Sequence, residues 1–230
     1  MKYMGSKNRI AKHLLPIMLE NRNGRTWVEP FVGGANMIDK VDGNRIGADL
    51  NEYVIALLNE MTKPNFEAPE IREEKYNDIK LNQDKYPKWV VGYAATQLSY
   101  GAKWFGGYRR DKQGKRSYCL EAQNNANKQS ENLKDVKFIH SSYQELDIPP
   151  NSLIYCDPPY EGTTKYKDRF SHAEFWEWCR NKAKEGHQVY ISEYNAPNDF
   201  KCVWEKEVNS SLTKDTGSKK ATEKLFVYCG

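Results

Sequence analysis

The chain has 230 residues, of which 39% are hydrophobic and 13% aromatic, with a net charge of +4 and a pI near 8.6. This composition excludes a disordered or fibrous protein, and the mild positive charge permits a polyanionic partner without requiring one. Five cysteines without a Cys-x-x-Cys pair indicate neither a disulfide framework nor a metal site, and no apolar run approaches the ~18 residues of a membrane span. We therefore expect a soluble, cytoplasmic protein.

The N-terminal part predicts helices and strands in alternation, with a pair of glycines between them. Residues 10–19 have apolar side chains at helical spacing, and residues 26–29 predict a strand. The glycine pair at 33–34 leads into a second predicted helix and would let a ligand approach the backbone. The next predicted strand, 45–48, ends in Asp49, a position suited to accept hydrogen bonds from ribose hydroxyls. These features predict an adenosine-containing cofactor; the alternative is a tight turn with a helix cap.

The middle of the chain predicts an inserted, mainly helical subdomain at 63–133, between the two parts of a catalytic domain at 1–62 and 134–230. Its centre, residues 101–118, combines cations, aromatic residues and glycines. Such a loop or hairpin suits phosphates and bases, and the alternative is a solvated basic loop whose aromatic residues pack inward. We expect an arginine, Arg109 or Arg110, to contact a base edge and the lysines to contact phosphates. The candidate nucleic-acid-binding residues are Lys103, Trp104, Tyr108, Arg109, Arg110, Lys112, Lys115 and Arg116, with Lys219 and Lys220 of the C-terminal part.

A short motif follows a predicted buried strand at 152–156. The motif is Asp157-Pro158-Pro159-Tyr160. Its prolines stop the strand and stiffen the loop at the strand's carboxyl end, where open α/β sheets bind their ligands. A carboxylate, a proline carbonyl and an aromatic ring there would offer two acceptors and one stacking surface to a planar amino group. The alternative is a surface turn with an exposed aspartate.

The C-terminal part resumes the alternation of helix and strand. Ser171 begins a capping box that predicts a helix, and residues 188–192 predict the next strand. Residues 203–208 and 224–228 predict a closing antiparallel pair, joined by a polar segment at 209–222. The four histidines show no ligand spacing and suggest no chemistry.

Several motifs resemble one known family, the Dam-type, D12-class DNA adenine N6-methyltransferases. The shared motifs are Lys2-Tyr3-x-Gly5-x-Lys7, Glu29-Pro30-Phe31-x-Gly33-Gly34, Ala48-Asp49-x-Asn51, Tyr155 to Tyr160, and Gly217-Ser218-Lys219-Lys220 followed by Glu223-Lys224-Leu225. They span almost the whole chain and are specific in combination. The resemblance departs within the insertion, where the family commonly has an Asn-Gly…Arg-Tyr/Phe-Asn pattern and this chain has residues 103–110. The recognised sequence, GATC or another, therefore stays open.

The resemblance implies a Rossmann-like α/β methyltransferase sheet with S-adenosylmethionine bound across the strand tips. By this resemblance Tyr3 and Lys7 flank the methionyl end of the cofactor, and Asp49 holds its ribose. The full set of expected cofactor residues is Tyr3, Lys7, Glu29, Pro30, Phe31, Gly33, Gly34, Asp49 and Asp157.

The implied reaction is transfer of a methyl group to N6 of an adenine flipped out of double-stranded DNA. The expected catalytic residues are Asp157, Pro158, Pro159 and Tyr160. Because the methyl group is already activated on a sulfonium, positioning supplies much of the catalysis, and neither a metal nor a covalent intermediate is required. Two alternatives stay open, an N-methyltransferase acting on RNA or a protein amide, and a non-catalytic DNA-binding relative. We expect a monomer or a weak dimer.

Overall fold

The structure is a computed structural model that describes residues 1–111, 113–160, 170–209 and 220–230. Its α-helices are α1 (Ala11–Leu19), α2 (Glu52–Met61), α3 (Glu73–Leu81), α4 (Lys88–Gln97), α5 (Tyr118–Ser130) and α6 (His172–Lys184). Its strands are β1 (Trp27–Glu29), β2 (Arg45–Asp49), β3 (Val136–His140), β4 (Leu153–Cys156), β5 (Gln188–Glu193), β6 (Phe200–Asn209) and β7 (Lys220–Tyr228). These elements confirm the predicted α/β class. The described residues form two compact units, 1–12 with 30–146, and 13–29 with 147–230; the boundary between residues 12 and 13 lies inside α1.

Among its described residues, the first unit contains the parallel strands β2 and β3 and the complete α-helices α2, α3, α4 and α5. In β2 and β3, Arg45 lies opposite Val136 and Asp49 opposite His140. Between α2 and β3 the described residues form α3, α4 and α5 without a strand, as the sequence predicts. The helices α2 and α4 are in backbone contact, because a Cβ atom added to Gly92 would lie 2.3 Å from the carbonyl oxygen of Tyr53. No side chain fits at that position without displacing a helix.

The second unit contains a five-stranded mixed sheet in the order β1-β4-β5-β7-β6. The strands β1, β4 and β5 are parallel, whereas β7 is antiparallel to both β5 and β6. This confirms the predicted closing antiparallel pair. The helix α6 begins at the predicted cap, where the Ser171 hydroxyl accepts a hydrogen bond from the backbone N–H of Glu174 at 3.3 Å. It buries Phe175, Trp176 and Cys179.

The predicted second helix after the glycine pair is wrong. Only a short 3-10 helix, Ile38–Lys40, follows the glycines before β2. Gly33 and Ala35 have left-handed backbone conformations, with φ of +47° and +54°, and such residues interrupt a right-handed helix. The segment is therefore a loop, and its backbone groups need partners from elsewhere in the unit.

None of the helices in the described ranges is long and apolar enough to span a bilayer. Among the same residues, no group of three or more His, Cys, Asp and Glu side chains is arranged to hold a metal ion.

Candidate functional site

The loop from Pro30 to Asn36, hereafter the glycine loop, is fixed in the first unit by a carboxylate. The Gly33 N–H donates to Oδ2 of Asp49 at 3.0 Å, and the Asn51 N–H donates to Oδ1 at 2.9 Å. The Asn51 side chain in turn caps α2. Asp49 therefore holds the glycine loop and the start of α2 in one arrangement.

This structural role leaves Asp49 able to bind a ligand. Burial raises its pKa, while the N–H groups of Asn51 and Gly33 and the charge of His140 oppose that rise. A carboxylate oxygen has two lone pairs, so each oxygen retains one for a further donor such as a ribose hydroxyl. The two readings of Asp49 that the sequence allows, a cap-like carboxylate and a ligand acceptor, are thus compatible.

The close approach to the glycine pair is made by Tyr3. A Cβ atom at Gly34 would lie 2.5 Å from Cβ of Tyr3, and one at Gly33 would lie 2.7 Å from Cε1 of its ring. The sequence attributes these glycines to a ligand, but the described neighbour that requires their small size is a side chain of the protein. Lys7, four residues after Tyr3, is buried, and its ammonium group donates to the carbonyl of Gly5 at 3.2 Å.

Two further features of the glycine loop fit a cofactor. The buried amide nitrogen Nδ2 of Asn36 has no hydrogen-bond partner among the described residues. A buried donor without a partner costs about 1–3 kcal/mol, which an acceptor on a ligand would recover. The ring of Phe31 lies 5.3 Å from that of Tyr143, a residue whose role the motifs do not indicate. An aromatic pair of this kind suits a planar heterocycle.

The Asp157–Tyr160 segment, hereafter the Asp-Pro-Pro-Tyr tip, follows the fully buried β4 in the second unit. The Tyr160 hydroxyl donates to Oε2 of Glu223 at 2.7 Å, and its ring meets that of Tyr194 edge to face at 4.5 Å. Burial raises the pKa of Tyr160 well above its usual range, and the negative charges of Asp157 and Glu223 raise it further. The phenol therefore stays neutral and keeps its hydrogen bond.

Aromatic and carboxylate side chains support this tip within the same unit. The Tyr155 hydroxyl shares a hydrogen bond of 2.8 Å with the hydroxyl of Ser192, and its ring lies 6.0 Å from that of Trp27. The Trp27 indole donates to Oε1 of the buried Glu29 at 2.7 Å. Glu29, an expected cofactor residue, is thus also a partner of a core tryptophan.

The segment Lys103–Arg116, hereafter the basic loop, lies in the first unit and divides into exposed and packed residues. Tyr108 is packed: its hydroxyl donates to the carbonyl of Ile71 at 3.1 Å. The side chain of Arg109 is only 11% exposed, with its guanidinium 4.2 Å from the ring of Tyr118 and 3.5 Å from Oε1 of Glu121. The aromatic residues of this loop therefore do not all point to solvent.

The other described cations of the basic loop are exposed, and one carboxylate orders the backbone at the end of the loop. Exposed positions are Lys103, Trp104, Arg110, Lys115 and Arg116, with Trp104 at 40%. Arg110 forms a two-point ion pair with Glu73 on the surface. Asp111 accepts hydrogen bonds from the N–H groups of Gln113, Lys115 and Arg116 at 3.2, 2.7 and 2.8 Å, which folds the end of the loop. Lys112 and Lys219 lie outside the described residues, and Lys220 begins β7.

The contacts reveal residues that the motifs do not assign. Tyr194 follows β5 at a strand's carboxyl end, so the position rule for α/β sheets would have found it. Glu223 lies in the tail motif but has no role there from sequence. Gln97 and Gln129 are buried on α4 and α5, and no spacing or motif marks them.

The α/β fold, with a glycine loop, an acidic strand tip and an Asp-Pro-Pro-Tyr tip, defines a class of proteins that bind ligands at the carboxyl ends of their strands. The chain belongs to the D12 class N6 adenine-specific DNA methyltransferase family, which it matches over residues 3–89 and 70–218. The resemblance drawn from the motifs is thereby confirmed.

Three relatives are similar to this chain in sequence. The type II methyltransferase M.FokI of Planomicrobium okeanokoites is 25% identical over 206 residues, covering 78% of this chain and 31% of its own length. The modification methylase StsI of Streptococcus sanguinis is 26% identical over 194 residues, covering 73% and 29%. The type II methyltransferase M.MjaIII of Methanocaldococcus jannaschii is 24% identical over 212 residues, covering 76% and 73%. The chain therefore spans about a third of the length of the first two relatives.

Proposed function

We propose that the chain transfers a methyl group from S-adenosylmethionine to N6 of adenine in double-stranded DNA. The observation that carries this proposal is the Asp-Pro-Pro-Tyr tip at the end of the buried β4, with its tyrosine held by Glu223 and Tyr194. Family membership supports it. S-adenosylmethionine would supply an electrophilic methyl group, its S–CH3 bond breaking to leave S-adenosylhomocysteine while the methylated nitrogen loses a proton.

The glycine loop would hold the cofactor. Asp49 is the acceptor for ribose hydroxyls, since both of its oxygens keep a free lone pair in the observed hydrogen-bond pattern. Asn36 offers an unpaired buried donor, and Phe31 offers an aromatic face. These three groups fit the adenosine part of the cofactor.

The Asp-Pro-Pro-Tyr tip would activate the target amine. The N6 lone pair of adenine is delocalised into the ring, so the nitrogen is a weak nucleophile until its two protons are hydrogen bonded. Asp157 and the Pro158 carbonyl accept these two bonds and draw the nitrogen towards tetrahedral geometry. Tyr160 provides the stacking surface for a base that has left the duplex. Its contacts with Glu223 and Tyr194 fix the ring before the base arrives.

Methylation assays with labelled cofactor on duplex DNA, RNA and protein test the proposed substrate. We expect label in duplex DNA, released as N6-methyladenine on digestion. Label in RNA or in a protein amide instead would replace DNA as the substrate. Cofactor binding without transfer to any of the three would establish the non-catalytic alternative.

We further propose that the basic loop reads the DNA, with Arg110 as its base-contacting residue. Arg109 is packed against Tyr118 and Glu121, whereas the contact of Arg110 within the described ranges is an exposed ion pair with Glu73. Because an exposed ion pair contributes little, Arg110 can leave Glu73 readily, and a bidentate arginine–guanine contact would then discriminate between bases by about 1–3 kcal/mol. Lys115 and Arg116 are exposed, and they would contact the DNA phosphates.

Sequencing of methylated adenines after expression in a methylation-free host tests this assignment. Arg110→Ala should relax the methylated sequence, whereas Lys115→Ala should weaken all sites alike and reduce the salt dependence of binding. An identical methylated sequence in wild type and Arg110→Ala would remove Arg110 as the reader.

The state and location of the protein belong to the same proposal. We infer a monomer or weak dimer that acts on DNA in the cytoplasm. Light scattering of the protein with and without a short duplex measures the first point, and a stable dimer in the absence of DNA would contradict it.

A further inference from the structure

Gln129, a buried amide on α5, contacts the glycine loop. Its Nε2 atom lies 3.1 Å from the Gly34 carbonyl oxygen, 3.0 Å from that of Ala35 and 3.0 Å from Oδ2 of Asp39. Its Oε1 atom accepts from the nitrogen of Met1. The Ala35 carbonyl also accepts a longer bond of 3.4 Å from the Asp39 N–H, so the amide adds to the loop's own backbone bonds and reaches the Gly34 carbonyl as well.

A second buried amide reaches the same region from the end of α4. The Lys2 N–H donates to Oε1 of Gln97 at 3.0 Å, and Nε2 of Gln97 donates back to the Lys2 carbonyl at 3.0 Å. The next residue, Tyr3, is the one whose side chain lies against the glycine pair. Gln97 thus fixes the short segment on which the glycines rest.

The proposed chemistry uses neither glutamine, although both are almost fully buried. A buried polar group that loses its partner costs about 1–3 kcal/mol, so an amide is a poor choice for filling space alone. It is a good choice for holding backbone carbonyls at one position. Both helices also belong to the insertion, and α5 begins directly after the basic loop, where Glu121 pairs with Arg109 and with Lys2.

We propose that Gln129 and Gln97 are positioning residues through which the helical insertion sets the shape of the cofactor-binding glycine loop. The affinity for cofactor then depends on α5 and α4, which carry no ligand contact of their own in this assignment. The inference rests on the proposed function for the identity of the ligand, while the loop geometry can be measured without any ligand.

The test compares Gln129→Glu with Gln123→Glu. Gln123 is also on α5, and its amide also donates to a backbone carbonyl, that of Ala68 at 3.0 Å. A carboxylate at 129 would face three acceptor oxygens without a proton to donate. We expect the affinity for S-adenosylhomocysteine, measured by calorimetry, to fall at least tenfold in Gln129→Glu and to stay within twofold in Gln123→Glu. The KM for S-adenosylmethionine should rise with kcat at saturating cofactor within twofold of wild type.

Hydrogen exchange of the ligand-free proteins gives the independent readout. The N–H groups of Gly33 and Ala35 are bonded to Asp49 and to the Val32 carbonyl, and both should exchange at least tenfold faster in Gln129→Glu alone. If wild type bound no S-adenosylhomocysteine, the proposed function would fail, and the exchange rates would still decide the positioning role. Should Gln129→Glu not fold, Gln129→Met keeps the volume without the amide, and the same two measurements apply. Equal affinities and equal exchange rates in the two α5 variants would overturn the inference.

Discussion

The glycine loop and the Asp-Pro-Pro-Tyr tip both follow a strand, but they are stiffened by different means. The tip takes its rigidity from its own sequence, because two prolines fix the backbone, and the contacts of Tyr160 with Glu223 and Tyr194 hold its ring. The glycine loop has permissive residues and takes its shape from Tyr3, Asp49 and Gln129. A locally stiff loop tolerates changes around it, whereas a loop held from outside depends on each contact.

The largest expected effect is a loss of methyl transfer at the tip without a loss of folding stability. Asp157→Ala should reduce the rate of methyl transfer by at least about 10³-fold, because it removes one of two acceptors for the amine and leaves the prolines in place. Thermal melting should change little. Asp147→Ala, an exposed aspartate of the same unit, should retain wild-type activity. Near-normal turnover in Asp157→Ala would remove this carboxylate from the reaction.

A smaller effect is expected when only the stacking surface is removed. Tyr160→Ala should lower the transfer rate by about 100-fold, since stacking of a base on an aromatic ring contributes about 1–3 kcal/mol. Tyr160→Phe keeps the ring and loses only the bond to Glu223, so its loss should stay below about tenfold. Steady-state kinetics on one duplex measures both variants, and equal losses would show that the hydroxyl matters more than the ring.

The glycine loop should be sensitive to a single methyl group. In Gly34→Ala the new Cβ would lie 2.5 Å from Cβ of Tyr3 and 2.8 Å from Nδ2 of Asn36. We expect about 1–3 kcal/mol of destabilisation by urea unfolding and about tenfold weaker binding of S-adenosylhomocysteine. Gly24→Ala is the control for loss of stability without a clash, because its φ of +76° strains an alanine although the space around it is open, and its binding of S-adenosylhomocysteine should be unchanged. Unchanged binding in Gly34→Ala would mean that the loop can move away from Tyr3 at no cost.

The smallest effect concerns a long-range bond in the second unit. The Ser152 N–H, just before β4, donates to Nδ1 of His187 at 3.1 Å, which requires a neutral ring. Burial lowers the pKa of His187; Lys182 lowers it further and Glu185 opposes this. Because the pKa of His187 is lower in the folded than in the unfolded protein, where it is about 6.5, the ring stabilises the fold above that pH. This contribution to the free energy of unfolding is lost as the pH falls. The melting temperature should therefore fall by a few degrees between pH 7 and pH 5, and it should fall by less in His187→Gln. The same drop in both proteins would exclude His187 as its cause.

The difference between the two loops also explains what the sequence could predict. The Asp-Pro-Pro-Tyr tip, the Ser171 cap and the closing pair of β6 and β7 are encoded by adjacent residues, so their patterns are readable. The contacts of Gln129 with Gly34 and Asp39 connect residues 95 and 90 positions apart, and a lone glutamine on a helix has no periodic or motif signal. The packing of Arg109 against Tyr118 also has no motif signal, because it follows from the path of the loop. The roles of the site residues themselves stay predictions.

The backbone contact at Gly92 limits how specificity could be transplanted between relatives. Since α4 lies against α2 with no room for a side chain, a chimera joined at residues 62 and 134 would need a donor segment that reproduces this contact atom for atom. A graft confined to residues 103–116 leaves Gly92, Gln97 and Gln129 in place. Exchange of that short stretch is therefore the more promising design for changing the proposed DNA specificity.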